Sequence, residues 1–124
     1  MKQFLLVFIG GGLGSMLRYY FSKIIDQHFP IYSLGTLTAN VIGCFIIGLI
    51  MSINLKTTVL SKNQILLLAT GFCGGFTTFS TFALEGHKLV TNQQWLHFIL
   101  YNFGSIILGL GAVGLGFLIA KYLS

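Results

Sequence analysis

Four polar side chains, Arg18, Asn40, Tyr101 and Ser105, lie within long apolar stretches and are the residues best placed to do chemistry. All four offer N–H or O–H donors. None has a catalytic partner at close spacing, because the whole chain contains only two Asp and Glu residues. Such a set can bind an ion or a neighbouring helix, but it offers almost nothing for hydrolysis, so an enzyme is not expected.

A second source of chemistry is the backbone between Gly71 and Phe82. The pair Gly74 and Gly75 is followed here by four hydroxyl residues, and glycine, serine and threonine are all poor helix formers. We therefore predict a helix that breaks near Gly74–Thr78. A broken membrane helix frees backbone groups, which are tolerated only where they line a cavity or bind something. Freed carbonyls could coordinate a hard cation such as Na⁺, whereas freed amides and hydroxyls could hold an anion.

Two aromatic rings follow the predicted break. Phe79 and Phe82 are three residues apart and therefore share one face of a helix. An aromatic ring is negative on its face and positive at its edge, so a ring turned edge-on can attract an anion without a formal charge. The alternative interpretation is that both rings are ordinary packing residues.

The four donors also have interpretations that involve no function. Arg18 lies well inside the first apolar stretch, where a charge normally faces a cavity or a partner, but it could instead snorkel to the membrane surface. Asn40 shares a helix face with Thr36 and Gly43, and the two hydroxyls of the last stretch are four residues apart. These groups could simply form interhelical hydrogen bonds, each worth about 1 kcal/mol.

The composition places these residues in a membrane. The chain has 124 residues, of which 55% are hydrophobic and 7% are charged, with a mean hydropathy of +0.88. Soluble domains carry about 25% charged residues. The charged residues divide the chain into four apolar windows, each predicted to form one helix that crosses the bilayer, and these windows do not alternate like barrel strands. We predict one all-α transmembrane domain over residues 1–124, with spans at about 4–25, 33–53, 64–85 and 95–122 joined by short loops, the first ending at Pro30.

Charges at the ends of these spans indicate the orientation only weakly. One side of the membrane would hold Lys2, Lys56, Lys62 and Lys121, and the other side would hold Lys23 and Lys88. Positive charge in short loops normally fixes the orientation of a membrane protein. A bias this weak fits either an ordinary protein with both termini inside or a chain that inserts both ways up.

Glycines recur in pairs four residues apart, as in Gly10 with Gly14 and Gly71 with Gly75. This spacing lets membrane helices approach closely. We therefore interpret these pairs as packing faces between helices.

Three segments resemble the signatures of one known family. Gly11–Tyr19 resembles the first-helix signature of the Fluc (CrcB) fluoride channels, Gly35–Phe45 resembles the second and Gly71–Phe82 the third, in matching order across essentially the whole chain. The resemblance implies an antiparallel, dual-topology homodimer that conducts fluoride passively through two pathways and so reduces fluoride toxicity. It also implies a location in the plasma membrane of a bacterium, with lipid around the dimer and no nucleic-acid partner.

The resemblance further implies roles for single residues. The pathway would be lined by Asn40, Phe79, Phe82, Tyr101 and Ser105, with both rings presenting their edges and with Asn40 and Ser105 donating hydrogen bonds. Further lining residues would be Thr38, Ser80 and Thr81, while Arg18 would make the vestibule positive. Main-chain carbonyls of Gly74 and Thr77 would hold one structural Na⁺ at the dimer interface, which is not transported.

General physics agrees with a passive anion pathway but leaves two other classes open. Fluoride is strongly hydrated, so a pathway must replace its water with donors that still release the ion. An inside-negative potential drives an anion outward without an ATP site. A small dual-topology multidrug transporter would need a carboxylate inside a span, typically the first, where this chain has Arg18. The other class is a non-conducting subunit of a larger membrane complex.

Overall fold

A computed structural model describes residues 1–29 and 33–123, and every regular element in these two ranges is a helix. Helix α1 spans Lys2–His28, α2 spans Leu34–Thr57, α3 covers residues 62–76, α4 spans Ser80–Thr91 and α5 spans Trp95–Leu123. Helices α3 and α4 together make one interrupted span, Lys62–Thr91. Pro30, which the sequence places at the end of the first loop, lies outside the described residues.

Four segments are long and apolar enough to cross a membrane, with lengths of 27, 24, 30 and 28 residues. At about 1.5 Å per residue, even the shortest reaches about 36 Å, more than the roughly 30 Å of a hydrocarbon core. The predicted fold class of an all-α, four-span integral membrane protein is confirmed, and the chain is a multi-pass membrane protein.

The helices continue past the predicted ends of the spans. Helix α1 reaches His28, α2 reaches Thr57 and α4 reaches Thr91, so polar segments expected as loops are partly helical. The prediction assumed that a helix stops where charged residues begin. Backbone hydrogen bonding continues into the headgroup region, where polar side chains are readily solvated.

The interruption of the third span is confirmed and lies at residues 77–79. Helix α3 remains helical through Gly74 and Gly75 and ends at Phe76, and Thr77 is extended, with φ −85° and ψ 159°. Helix α4 then begins at Ser80. Before the interruption, Leu66–Cys73 forms a π-helix, a wide turn that the sequence did not predict and that is common at functional sites.

Helices α1 and α3 pack backbone against backbone through glycines. A Cβ atom on Gly10 would overlap the carbonyl oxygen of Leu67, and one on Gly14 would overlap that of Phe72. From the other side, a Cβ atom on Gly75 would overlap the backbone of Gly11. The interpretation of the glycine pairs as packing faces is therefore confirmed for this contact.

Helix α2 packs on α5 in the same manner and also contacts α1 and α3. A Cβ atom on Gly48 would overlap the carbonyl oxygen of Val113, and one on Gly116 would overlap that of Phe45. Where α1 ends and α2 begins, Asp26 Oδ1 accepts a hydrogen bond from the Gly35 amide at 3.0 Å. Helix α2 thus lies between the interrupted span and α5.

The last turn of α3 is anchored by aromatic packing. Phe76 is 1% exposed, its ring stacks on Phe72 at 5.8 Å, and the ring of Phe21 from α1 meets it at 89°. This cluster fixes the end of α3 immediately before the chain leaves the helix.

Candidate functional site

An open groove of about 640 Å³ lies beside α2, between α3 and α5, and we call it the central groove. All of its lining residues are uncharged, and most are apolar. Six residues for which the sequence analysis expected roles line it together: Asn40, Gly74, Thr77, Phe79, Phe82 and Ser105. The free thiols of Cys44 and Cys73 also line the groove.

Asn40 binds the backbone of the interruption with both ends of its amide. Its Nδ2 donates to the carbonyl oxygen of Thr78 at 3.0 Å, and its Oδ1 accepts from the Thr78 amide at 2.7 Å. An amide nitrogen carries two hydrogens, so one N–H of Asn40, a residue that lines the groove, has no acceptor among residues 1–29 and 33–123. The interhelical hydrogen bond considered from the sequence is therefore present, but it uses only part of the donor capacity.

The interruption leaves backbone carbonyl groups free, and two of them belong to residues that line the central groove. Within residues 1–29 and 33–123, the carbonyl oxygens of Gly74 and Thr77 accept no hydrogen bond. Both residues line the central groove. A Cβ atom placed on Gly74 would meet nothing within 4 Å, so this residue borders open space. These oxygens are hard, neutral ligands of the kind that bind alkali cations in broken membrane helices.

Arg18 of α1 contacts the last turn of α3, immediately before the interruption. It is half-buried, and its Nε donates to the carbonyl oxygen of Gly75 at 3.1 Å. Ser15, three residues earlier and on the same face, donates to the same oxygen at 3.3 Å. Arg18 therefore meets a partner across the helix interface, as one of the two sequence interpretations expected, and does not line the central groove. Its effect on a vestibule stays a prediction.

Three aromatic rings continue from the groove toward α5. Phe79 is 79% exposed, and its ring centroid lies 5.9 Å from that of Phe82. The ring of Phe82 in turn lies 5.3 Å from that of Tyr101, which is buried. Phe82 is thus held by packing, whereas Phe79 is available to the groove.

Glu85, to which the sequence analysis gave no role, joins three helices. Its Oε1 accepts from the Thr36 hydroxyl of α2 at 2.8 Å, and its Oε2 accepts from the Tyr101 hydroxyl of α5 at 2.6 Å. The available signal was its position three residues after Phe82, on the same helical face as the ring that touches Tyr101. A carboxylate near a span end is more easily assigned to the membrane surface, and this is why its partners were missed.

The remaining hydroxyl residues predicted for the pathway are Ser105, Ser80, Thr81 and Thr38. Ser105 lines the groove, but its hydroxyl donates to the carbonyl oxygen of Tyr101 at 2.6 Å. Ser80 and Thr81 place their hydroxyls 3.4 and 3.2 Å from that of Thr78. Thr38 is half-buried on α2, two residues before Asn40 and so on nearly the opposite side of the helix.

The described fold and groove define a small multi-pass membrane protein in which an interrupted span borders an uncharged cavity. Comparison with known proteins gives its family. The family described as CrcB-like protein, Camphor Resistance (CrcB), matches residues 5–117.

Individual relatives agree over nearly their full lengths. The chain is 47% identical over 127 residues to the fluoride-specific ion channel FluC of Gloeothece citriformis, covering 98% of both chains. It is 45% identical to the protein of that name from Chlorobium phaeobacteroides, covering 98% of this chain and 96% of the relative. It is 41% identical to that of Azobacteroides pseudotrichonymphae, covering 98% of both. The chain belongs to the CrcB family, and the names of these relatives denote a channel rather than an enzyme.

Proposed function

We propose that this protein is a passive, fluoride-selective channel that lets fluoride leave the cell and so reduces its toxicity. The observation that carries the proposal is the convergence of Asn40, Phe79, Phe82 and Ser105 on one uncharged groove. Their amide, hydroxyl and ring-edge groups attract an anion without the tight binding that a buried arginine would impose. The relatives named as fluoride-specific channels support the choice of ion.

The donors act through small rearrangements. Asn40 offers its second N–H while its first stays on the Thr78 carbonyl. Ser105 donates to fluoride once its hydroxyl rotates away from the Tyr101 carbonyl, which gives up a bond worth about 1 kcal/mol. Phe79 and Phe82 present ring edges. Tyr101, Thr38, Ser80 and Thr81 are proposed as further contacts, and Arg18 as a source of positive potential.

The proposed assembly is an antiparallel pair of chains with two pathways. Two features support it: the central groove is open in a single chain, and the difference in positive charge between the two membrane faces is small, which is compatible with insertion in both orientations. A second copy seated on the groove would cover the apolar lining and the exposed ring of Phe79.

A structural Na⁺ is proposed where the interrupted spans of the two copies meet. The carbonyl oxygens of Gly74 and Thr77 would hold it, because both are free of hydrogen bonds in the described chain and both lie at the groove. The ion would neutralise backbone dipoles that otherwise face each other. Titration of thermal stability with NaCl against KCl tests this site: Na⁺ is expected to raise the melting temperature, and equal responses would contradict it.

Efflux from liposomes tests the proposed function. Vesicles containing the purified protein are loaded with potassium fluoride or potassium chloride, and valinomycin is added to balance charge. We expect rapid fluoride release, no chloride release above that of protein-free vesicles, and no need for a proton gradient. Equal release of the two anions, or no fluoride release, would contradict the proposal. Proton-driven efflux of an organic cation would instead favour the multidrug-transporter class.

A further inference from the structure

Two amides beside the interruption donate to side chains instead of to carbonyls. In an α-helix each N–H bonds to the carbonyl four residues earlier, so the Thr78 amide would bond to Gly74 and the Thr81 amide to Thr77. In the structure, the Thr78 amide donates to Asn40 Oδ1 at 2.7 Å, and the Thr81 amide donates to Thr78 Oγ1 at 3.3 Å. Two side-chain oxygens have therefore replaced the two carbonyls as acceptors, and the carbonyls are free as a result.

Asn40 replaces both backbone partners of Thr78. Its Nδ2 donates to the Thr78 carbonyl, which would accept from the Phe82 amide in a continuous helix. Unpaired backbone groups are costly in apolar surroundings, so an interruption inside a membrane persists only where other groups satisfy the backbone. We propose that Asn40 is a positioning residue that keeps the third span interrupted. The Thr78 hydroxyl assists it by accepting the hydrogen bond of the Thr81 amide.

Neighbouring contacts on the same face of α2 hold Asn40 in register with the interruption. One turn before it, Thr36 donates to Glu85 of α4 at 2.8 Å. About one turn after it, a Cβ atom on Gly43 would overlap the side chain of Thr77. Helix α2 therefore contacts the third span at the interruption and beyond it, and these contacts hold Asn40 next to Thr78.

The consequence of this role of Asn40 for the Na⁺ site and for Phe79 rests on the proposed function. The carbonyl oxygens that Asn40 and Thr78 leave free belong to Gly74 and Thr77, the two proposed to hold Na⁺. Without Asn40, the Thr78 amide is released to the Gly74 carbonyl, and the span closes toward a continuous helix. Closure would withdraw that oxygen from the cation and turn Phe79 relative to the groove.

Amide hydrogen exchange over residues 77–83, measured by mass spectrometry on the purified full-length protein, tests the inference. Within the described ranges, the amides of Phe79, Ser80 and Phe82 donate to no acceptor, whereas a continuous helix supplies one to each. Asn40→Ala is therefore expected to slow exchange in this segment about tenfold or more. A variant that merely lost stability would exchange faster, so the two explanations predict opposite changes in the exchange rate.

Matched variants complete the experiment. Asn40→Asp retains an oxygen for the Thr78 amide and is expected to exchange closer to the wild type than Asn40→Ala does. Ser52→Ala removes a hydrogen bond to the Phe117 carbonyl, 3.1 Å long and distant from the interruption, and is not expected to slow exchange. Asn40→Leu, which is closer in volume, provides the same comparison if the alanine variant does not fold.

The outcomes separate this inference from the proposed function. Unchanged or faster exchange over residues 77–83 in Asn40→Ala and Asn40→Leu would overturn the positioning role, whatever happens to fluoride release. Fluoride efflux is measured on the same preparations. Wild-type protein that releases no fluoride would contradict the proposed function, while the sign of the exchange difference would still decide the role of Asn40.

Discussion

Phe79 presents its ring to open space from the edge of the central groove, while Phe82 is fixed against Tyr101. An apolar ring in such a position is stable only when lipid or protein covers it. At the scale of single residues, the two rings therefore differ: one is held within its own chain, and the other depends on what occupies the groove.

Replacing either ring with isoleucine tests the ring-edge mechanism. Phe79→Ile and Phe82→Ile keep apolar bulk but remove the positive ring edge, so each is expected to lower fluoride efflux at least about tenfold, the effect of losing about 1.4 kcal/mol of stabilisation. Phe103→Ile is the matched control, because Phe103 is 63% exposed on α5 and lies outside the groove. Wild-type efflux in both groove variants would remove ring edges from the mechanism.

Glu85 gives a second prediction at this scale, for stability. Glu85→Ala leaves the hydroxyls of Thr36 and Tyr101 without their acceptor, and each unsatisfied group costs about 1–3 kcal/mol when buried. Glu85→Gln retains one oxygen and can still accept from one hydroxyl. Thermal unfolding is expected to show the order wild type, glutamine, alanine from most to least stable. Equal stability of the three proteins would show that the network contributes nothing.

At the scale of helices, the sequence predicts that the third span is broken, but it does not predict the residues at which the helix ends. Glycines and hydroxyl residues indicated poor helix formation, yet Gly74 and Gly75 remain helical. Glycine at position 75 is needed there because α1 lies against it, not because the backbone must bend. The chain departs from the helix at Thr77, and Asn40 of another helix supplies bonding partners for the next residue, Thr78. Local propensity cannot reveal a partner that is 38 residues away in sequence.

The packing of α1 on α3 yields a prediction about a single methyl group. Gly75→Ala places a Cβ atom into the backbone of Gly11, so the helices must separate, at an expected cost of about 1–3 kcal/mol. Gly111→Ala is the control, because a Cβ atom there meets nothing within 4 Å. Thermal unfolding in detergent measures both. A Gly75→Ala protein as stable as Gly111→Ala would contradict the tight contact.

At the scale of the whole molecule, four spans could be predicted from apolar windows with few or no charges, because bilayer thickness imposes their length. The central groove could not, because it arises from the order in which the helices pack: α2 contacts both the third span and α5 and leaves a gap between them. The sequence marked Asn40 and Ser105 as polar residues in apolar spans, but only packing brings them to one cavity.

Orientation in the membrane provides the test of the proposed assembly. Thr57→Lys with Val59→Lys raises the number of lysines at one face to six against two. Asn92→Lys with Gln94→Lys at the other face, combined with Lys56→Gln, Lys62→Gln and Lys121→Gln, reverses the bias to four against one, and all of these positions are exposed. Each set of substitutions is expected to fix one orientation and to abolish fluoride efflux when expressed alone. Co-expression of the two proteins is expected to restore it. Full efflux from either protein alone would contradict an antiparallel pair.

The interruption also bears on how the chain is made. Three side chains of other helices bond to the backbone at the interruption or in the turn just before it, and all three precede it in the chain: Ser15 and Arg18 on α1 and Asn40 on α2. During synthesis from the N-terminus, these side chains are already within the bilayer when residues 77–79 leave the ribosome and the insertion machinery. A segment with unsatisfied backbone groups therefore meets its hydrogen-bond partners on arrival, and the order of helices along the gene protects the interrupted span during biogenesis.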